Sequence, residues 1–99
     1  MDIDKIEVTH NKDENRFEVV IGGFLSKLDY MQNGDSFVIT HVGVHPEHRG
    51  QGVAGKITQA ALEYAKASGY RVVPMCTYAA AYIRRNPQYA ELTRSKTSE

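Results

Sequence analysis

Along this chain, apolar residues recur first at every second position and later at every third or fourth, which predicts a run of strands followed by helices. "KIEVTH" (5–10) sets Ile6 and Val8 against polar neighbours, and "RFEVVIGG" puts Phe17, Val19 and Ile21 on one face. The two segments predict a hairpin joined by the polar loop "NKDEN". Gly22 and Gly23 break the pattern before a third strand from Phe24 to Met31, and "QNGDS" supplies the next turn through Asn33 and Gly34. "FVITHVGV" is apolar on both faces: Phe37, Ile39 and His41 point one way, and Val38, Thr40, Val42 and Val44 point the other. That pattern predicts a central strand covered on both sides.

From about Gly52 to Ser68 the period changes. Val53, Ile57, Ala61 and Tyr64 recur at spacings of four, four and three, a helical stripe that Gly69 is placed to end. "YRVVPMC" then reads as a short buried strand, with Pro74 marking a bulge or a sheet edge. Thr77 is placed to cap a second helix, "YAAAYIRR", which carries Arg84 and Arg85 in its last turn before Asn86 and Pro87 stop it. Several strands followed by helix, strand and helix predict an α+β domain, a mixed α/β sandwich of about five mostly antiparallel strands and two main helices. The expected domain covers residues 1–92, and residues 93–99 form a polar tail.

Composition narrows the function. A chain of 99 residues has room for one hydrophobic core, and 41% hydrophobic with 24% charged residues is the balance of a globular protein. Twelve basic and twelve acidic residues cancel, so no overall field favours nucleic acid or an anionic membrane surface. The start "MDIDKIEVTH" lacks the pattern of a secretory signal, and no apolar run approaches the roughly 20 residues of a membrane span. With one cysteine, Cys76, and no partner for an internal disulfide, the sequence reads as cytoplasmic.

The chemistry concentrates in "VHPEHRGQGVAGK" (44–56), where three glycines and Arg49 sit between the apolar strand and the first helix. A helix N-terminus presents unpaired N–H groups and a partial positive charge, so it attracts phosphate, and glycines let the backbone approach closely. The spacing is neither a P-loop GxxxxGK[ST] nor a dinucleotide-binding GxGxxG. His45 and His48 stand near His41, but no second cysteine or Asp pair completes a tetrahedral zinc set.

The run Arg49, Gly50, Gln51, Gly52, Val53, Ala54 resembles the pyrophosphate loop of the GCN5-related N-acetyltransferase superfamily. With "THVGVHPEHRGQGVAGK" and "MCTYAAAYIRRNPQY", the chain looks like the small single-domain branch of that superfamily. The resemblance implies acetyl-CoA as acetyl donor, its pyrophosphate on the amides from Gly50 to Gly55 and its pantetheine arm along Val42, Gly43 and Val44. Arg49 and Asn86 are further cofactor candidates, and Arg84 and Arg85 are either CoA contacts or solvated helix-end charges. The acceptor expected is an amine on a small molecule or a protein, and the expected assembly is a monomer or weak homodimer. A Thr often follows the histidine in the small branch, where Val42 stands here.

Cys76 and His41 match the proposed active-site pair of the small branch. Cys76 ends a predicted strand and precedes a predicted helix, a place where open N–H groups favour a thiolate. Two routes stay open: acetyl transfer through Cys76, or direct attack by the amine with His41 or water taking the proton. Cys76 can equally be a small buried hydrophobe, and His41 a hydrogen-bonded core histidine. The rival to an N-acetyltransferase is a module that holds CoA or acyl-CoA without turnover. An RNA-binding domain is disfavoured by the balanced charge and the lack of an aromatic and basic stripe.

Overall fold

Three consecutive hairpins follow from turns whose residues suit them. The computed structural model describes residues 2–94 and places β1 at Thr9–Asn11, β2 at Arg16–Ile21, β3 at Phe24–Asn33 and β4 at Ser36–Gly43. Gly22 and Gly23 connect β2 to β3 with φ of 61° and 82°, the left-handed pair that a tight hairpin demands and that glycine adopts without strain. Asn33 pairs with Ser36 across the next two-residue turn. The chain then forms α1 (Val53–Ser68), returns as β5 (Arg71–Pro74) parallel to β4, and ends in α2 (Thr77–Arg85) and a 3-10 helix, Pro87–Thr93. The sheet order is β1-β2-β3-β4-β5, a mixed five-stranded sheet in an α+β fold.

The core lies on one face of this sheet. Phe17, Val19, Leu28, Tyr30, Phe37, Ile39 and Val72 point into it from the strands, and the α1 stripe of Val53, Ile57, Ala61, Leu62 and Ala65 covers them. Ala79 and Ile83 of α2 and Tyr89 of the last 3-10 helix join the same cluster. Burying an Ile or Leu side chain of this kind stabilises the fold by about 1.5–3 kcal/mol. Gly69 ends α1 in the left-handed conformation, φ 75°, with its N–H on the Ala65 and Lys66 carbonyls. Among the described residues no helix is long and apolar enough to cross a membrane.

The structure corrects four expectations. First, the alternation of Ile6, Val8 and His10 toward the core is present, but pairing begins only at Thr9, because residues 3–5 form a 3-10 turn. Second, β4 lies inside the sheet between β3 and β5 but is not covered on both faces: the described helices pack on one face, and Thr40 and His41 on the other are exposed. Third, β4 does not alternate evenly. Tyr30 faces Ile39 and Asp29 faces His41, so Thr40 is an extra residue, a β-bulge that its hydroxyl braces against the Asp29 carbonyl at 3.2 Å. The bulge reverses the phase, turning Val42 onto the core face opposite Leu28 and His41 onto the open face. Fourth, α2 begins at Thr77, and Cys76 is its N-cap residue with no side-chain capping bond. Pro74 does stand on an edge strand. Of the predicted tail, residues 95–99 lie outside the described residues.

Candidate acyl-coenzyme A site

Two features converge at the C-terminal end of β4. The first is a fork. β5 pairs with β4 only from Ser36 to Ile39, and the Ile39 carbonyl accepts both the Met75 N–H (3.0 Å) and the Cys76 N–H (3.2 Å) as the chain turns away into α2. Past this point Thr40 to Gly43 keep β3 on one side and have no strand on the other, leaving an open edge of backbone donors and acceptors.

The second is the loop from Val44 to Gly52, which is pinned from below. The buried Ser26 hydroxyl receives the His45 N–H at 2.9 Å and lies 2.6 Å from Nδ1 of buried His48. Nε2 of His48 lies 3.3 Å from the Ile21 carbonyl, so both ring nitrogens have a partner. His45 stacks on Phe24 at 4.3 Å and accepts the Glu47 N–H on Nδ1, starting a 3-10 turn over Pro46–His48. Gln51 donates to the Glu47 carbonyl at 3.3 Å. Both histidines are thus occupied in shaping the loop.

Above this base Gly50 and Gly52 take φ of 75° and 83°, conformations that favour glycine. A β-carbon on Gly50 would meet nothing within 4 Å, so its role there is backbone freedom rather than space. Gly52 is the N-cap of α1 and brings no side-chain acceptor, so the first amides of the helix are left without the usual capping partner. They open on a concavity of about 280 Å³ lined by Val44, His48, Arg49, Gly50, Gly52, Val53, Ala54, Gly55 and Tyr78. Helix-end amides together with the exposed Arg49 guanidinium give the concavity the donors and positive charge that suit an anion.

The concavity brings together seven of the eleven residues expected to bind the cofactor: Val44, Arg49, Gly50, Gly52, Val53, Ala54 and Gly55. Val42 and Gly43 lie beside it on the open edge of β4, and Gln51 braces the loop. Asn86 is at the far end of α2, where its Nδ2 donates to the Tyr82 carbonyl at 2.8 Å and closes the helix. Cys76 and His41 both flank the fork without a hydrogen bond between them. Cys76 is half-buried against the core, whereas His41 is exposed and lies over Gly43, where a β-carbon would come within 2.9 Å of Nε2. A larger residue at position 43 would push the ring away.

Tyr78, for which the sequence pattern implied no more than a place in the second helix, has its hydroxyl over the first turn of α1, 3.6 Å from where a β-carbon on Gly55 would be. The i, i+4 pair Tyr78 and Tyr82 beside a helical glycine was the available signal. Burial, with Tyr78 and Glu63 nearby, raises Tyr82 above the usual phenol range, which keeps it neutral.

A sequence profile described as GCN5-related N-acetyl-transferase matches residues 16–92. No curated protein matches the sequence. Among solved structures, the chain is similar to the solution structure of a GCN5-like candidate N-acetyltransferase from Staphylococcus aureus. The two share 25% identity over 87% of this chain and 85% of that one, with a TM-score of 0.70. The profile match spans both the loop that opens onto the concavity and the fork beside it, and the chain belongs to the GCN5-related N-acetyltransferase family.

Proposed function

We propose that this protein transfers an acetyl group from acetyl-CoA to an amine. The observation that carries the reading is the uncapped, glycine-rich entry to α1 and Arg49 around one concavity, next to the unpaired edge of β4. A pyrophosphate carries two negative charges that the helix-end amides and Arg49 can hold, and the backbone of Thr40 to Gly43 offers a strand edge to the amides of pantetheine. A pantetheine arm running from one along the other brings its thioester to the fork.

There the amine nitrogen attacks the thioester carbon, and the carbon–sulfur bond breaks with its electron pair going to the CoA sulfur. His41, exposed on the open face of the sheet, accepts the proton that the amine loses. The half-buried Cys76 lies on the inner side of the fork, where its thiol can protonate the departing sulfur, and the proton gained by His41 returns to the Cys76 thiolate through solvent. The separate placement of Cys76 and His41 supports these distinct roles over a nucleophile–base dyad, for which the two side chains would have to touch. If the Cys76 sulfur instead attacks the acetyl carbon first, the carbon–sulfur bond to CoA breaks, the thiol proton passes to the departing CoA sulfur, and the amine then displaces the Cys76 sulfur from the new thioester.

The test is to mix the protein with acetyl-CoA, with and without a panel of amines, and to follow CoA release and protein mass. CoA release that requires an amine, with no acetyl adduct on the protein, is the expected result. An adduct at Cys76 replaces direct attack with the covalent route. Binding of acetyl-CoA with no release for any amine would leave a CoA-holding module.

A further inference from the structure

The hydroxyls of Tyr30 and Tyr89 are engaged by His10 at 2.6 Å and Glu63 at 2.7 Å, whereas that of Tyr78 meets no hydrogen-bonding partner among the described residues. It is held instead against Gly55, the third residue of α1, on the wall of the concavity that also carries Arg49 and Gly50. The ring cannot easily retreat. Tyr82 packs behind it at 6.3 Å and also touches the Gly55 position, and Tyr82 in turn stacks on Tyr89, which bonds to Glu63 of α1. Of the three tyrosines in this row along the α1–α2 seam, Tyr78 and Tyr82 carry hydroxyls with no partner among the described residues, and Tyr78 alone of the three lines the concavity.

We infer that Tyr78 is a cofactor-binding residue, its O–H donating to an oxygen of the pyrophosphate seated on the first turn of α1. The inference rests on the coenzyme A reading above. A phenol is suited to the task because it adds a donor without adding charge, and its rigid ring loses little conformational freedom on binding. Tyr78 follows Cys76 by two residues, so the bond would also fasten the first turn of α2, and with it the fork, to the bound donor.

The test compares acetyl-CoA with S-acetylpantetheine, which has the thioester arm and no phosphate, by NMR titration of the wild type, Tyr78→Phe and Tyr82→Phe. Tyr78→Phe keeps the ring and its packing, and a thermal melt of each variant verifies that the fold is intact. The wild type should prefer acetyl-CoA. Tyr78→Phe should weaken acetyl-CoA about tenfold, as expected for one hydrogen bond to a charged group, and leave S-acetylpantetheine unchanged. Tyr82→Phe should change neither. Acetyl-CoA affinity within about twofold of wild type in Tyr78→Phe, or equal weakening of both ligands, overturns the inference while the coenzyme A reading stands. A wild type that binds both ligands equally overturns that reading, and the inference with it.

Discussion

Ser26 of β3 holds both His45 and His48: its hydroxyl lies 2.6 Å from the His48 Nδ1 and receives the His45 N–H at 2.9 Å. One buried hydroxyl therefore fixes the loop that leads into α1. Ser26→Ala leaves the buried His48 Nδ1 and the half-buried His45 N–H without this partner and should cost about 1–3 kcal/mol in urea unfolding. Acetyl-CoA affinity should fall as well, since the amides of the loop lose their support. An alanine variant as stable and as tight-binding as wild type would show that the loop shapes itself.

His41 and Cys76 predict different losses. Removing a general base costs about 10²–10⁴-fold in rate, so His41→Gln should lose most transfer activity while keeping acetyl-CoA affinity. Cys76→Ala should show a smaller loss if its thiol only protonates the leaving sulfur, and complete loss if its sulfur carries the acetyl group. Steady-state rates beside binding isotherms separate the two.

At the far end of α1, His10 stacks on Phe17 at 4.1 Å, meets Tyr64 edge-on at 4.5 Å and bonds the Tyr30 hydroxyl. Burial, and then the charge of Lys12, pull His10 below the usual histidine range. The folded state therefore binds this proton less readily than the unfolded chain. Its contribution to stability is present above the unfolded pKa of about 6.5 and lost as pH falls through the folded value. Melting temperature should drop on acidification from pH 7.5 toward 5, and His10→Phe should flatten that slope. An unchanged slope in the variant would place the acid sensitivity elsewhere.

Tyr89 behaves in the opposite sense. Burial and its 2.7 Å bond to Glu63 push its phenol up to about 12. The stability it contributes is full below the unfolded value of about 10 and is lost as pH rises toward 12. In ultraviolet titration the last tyrosine to ionise should be missing from Tyr89→Phe, which should also be less stable by about 1 kcal/mol at neutral pH.

What the sequence disclosed and what it hid have separate physical causes. The hairpin turns, α1, its Gly69 stop and the glycine loop were legible because each depends on residues a few positions apart. The bulge at Thr40 was not: the run Val38, Thr40, Val42 alternates without a glycine or proline to mark the extra residue, so His41 was placed on the wrong face. The Ser26–His48 bond spans 22 positions, and nothing local in either segment announces it. Tyr78 was not marked out in the sequence because its place beside the loop depends on how α2 leaves the fork, a tertiary matter.

The central claim is that the concavity at the head of α1 holds the phosphates of acetyl-CoA. Calorimetric titration of wild type and Gly52→Asp tests it most directly, because the variant puts a carboxylate among the amides that should bind phosphate, at a residue whose left-handed φ aspartate tolerates better than most side chains. The account predicts saturable one-to-one binding by the wild type and its loss in a folded Gly52→Asp protein. A folded wild type that does not bind acetyl-CoA, or a variant that binds it equally well, would contradict the account.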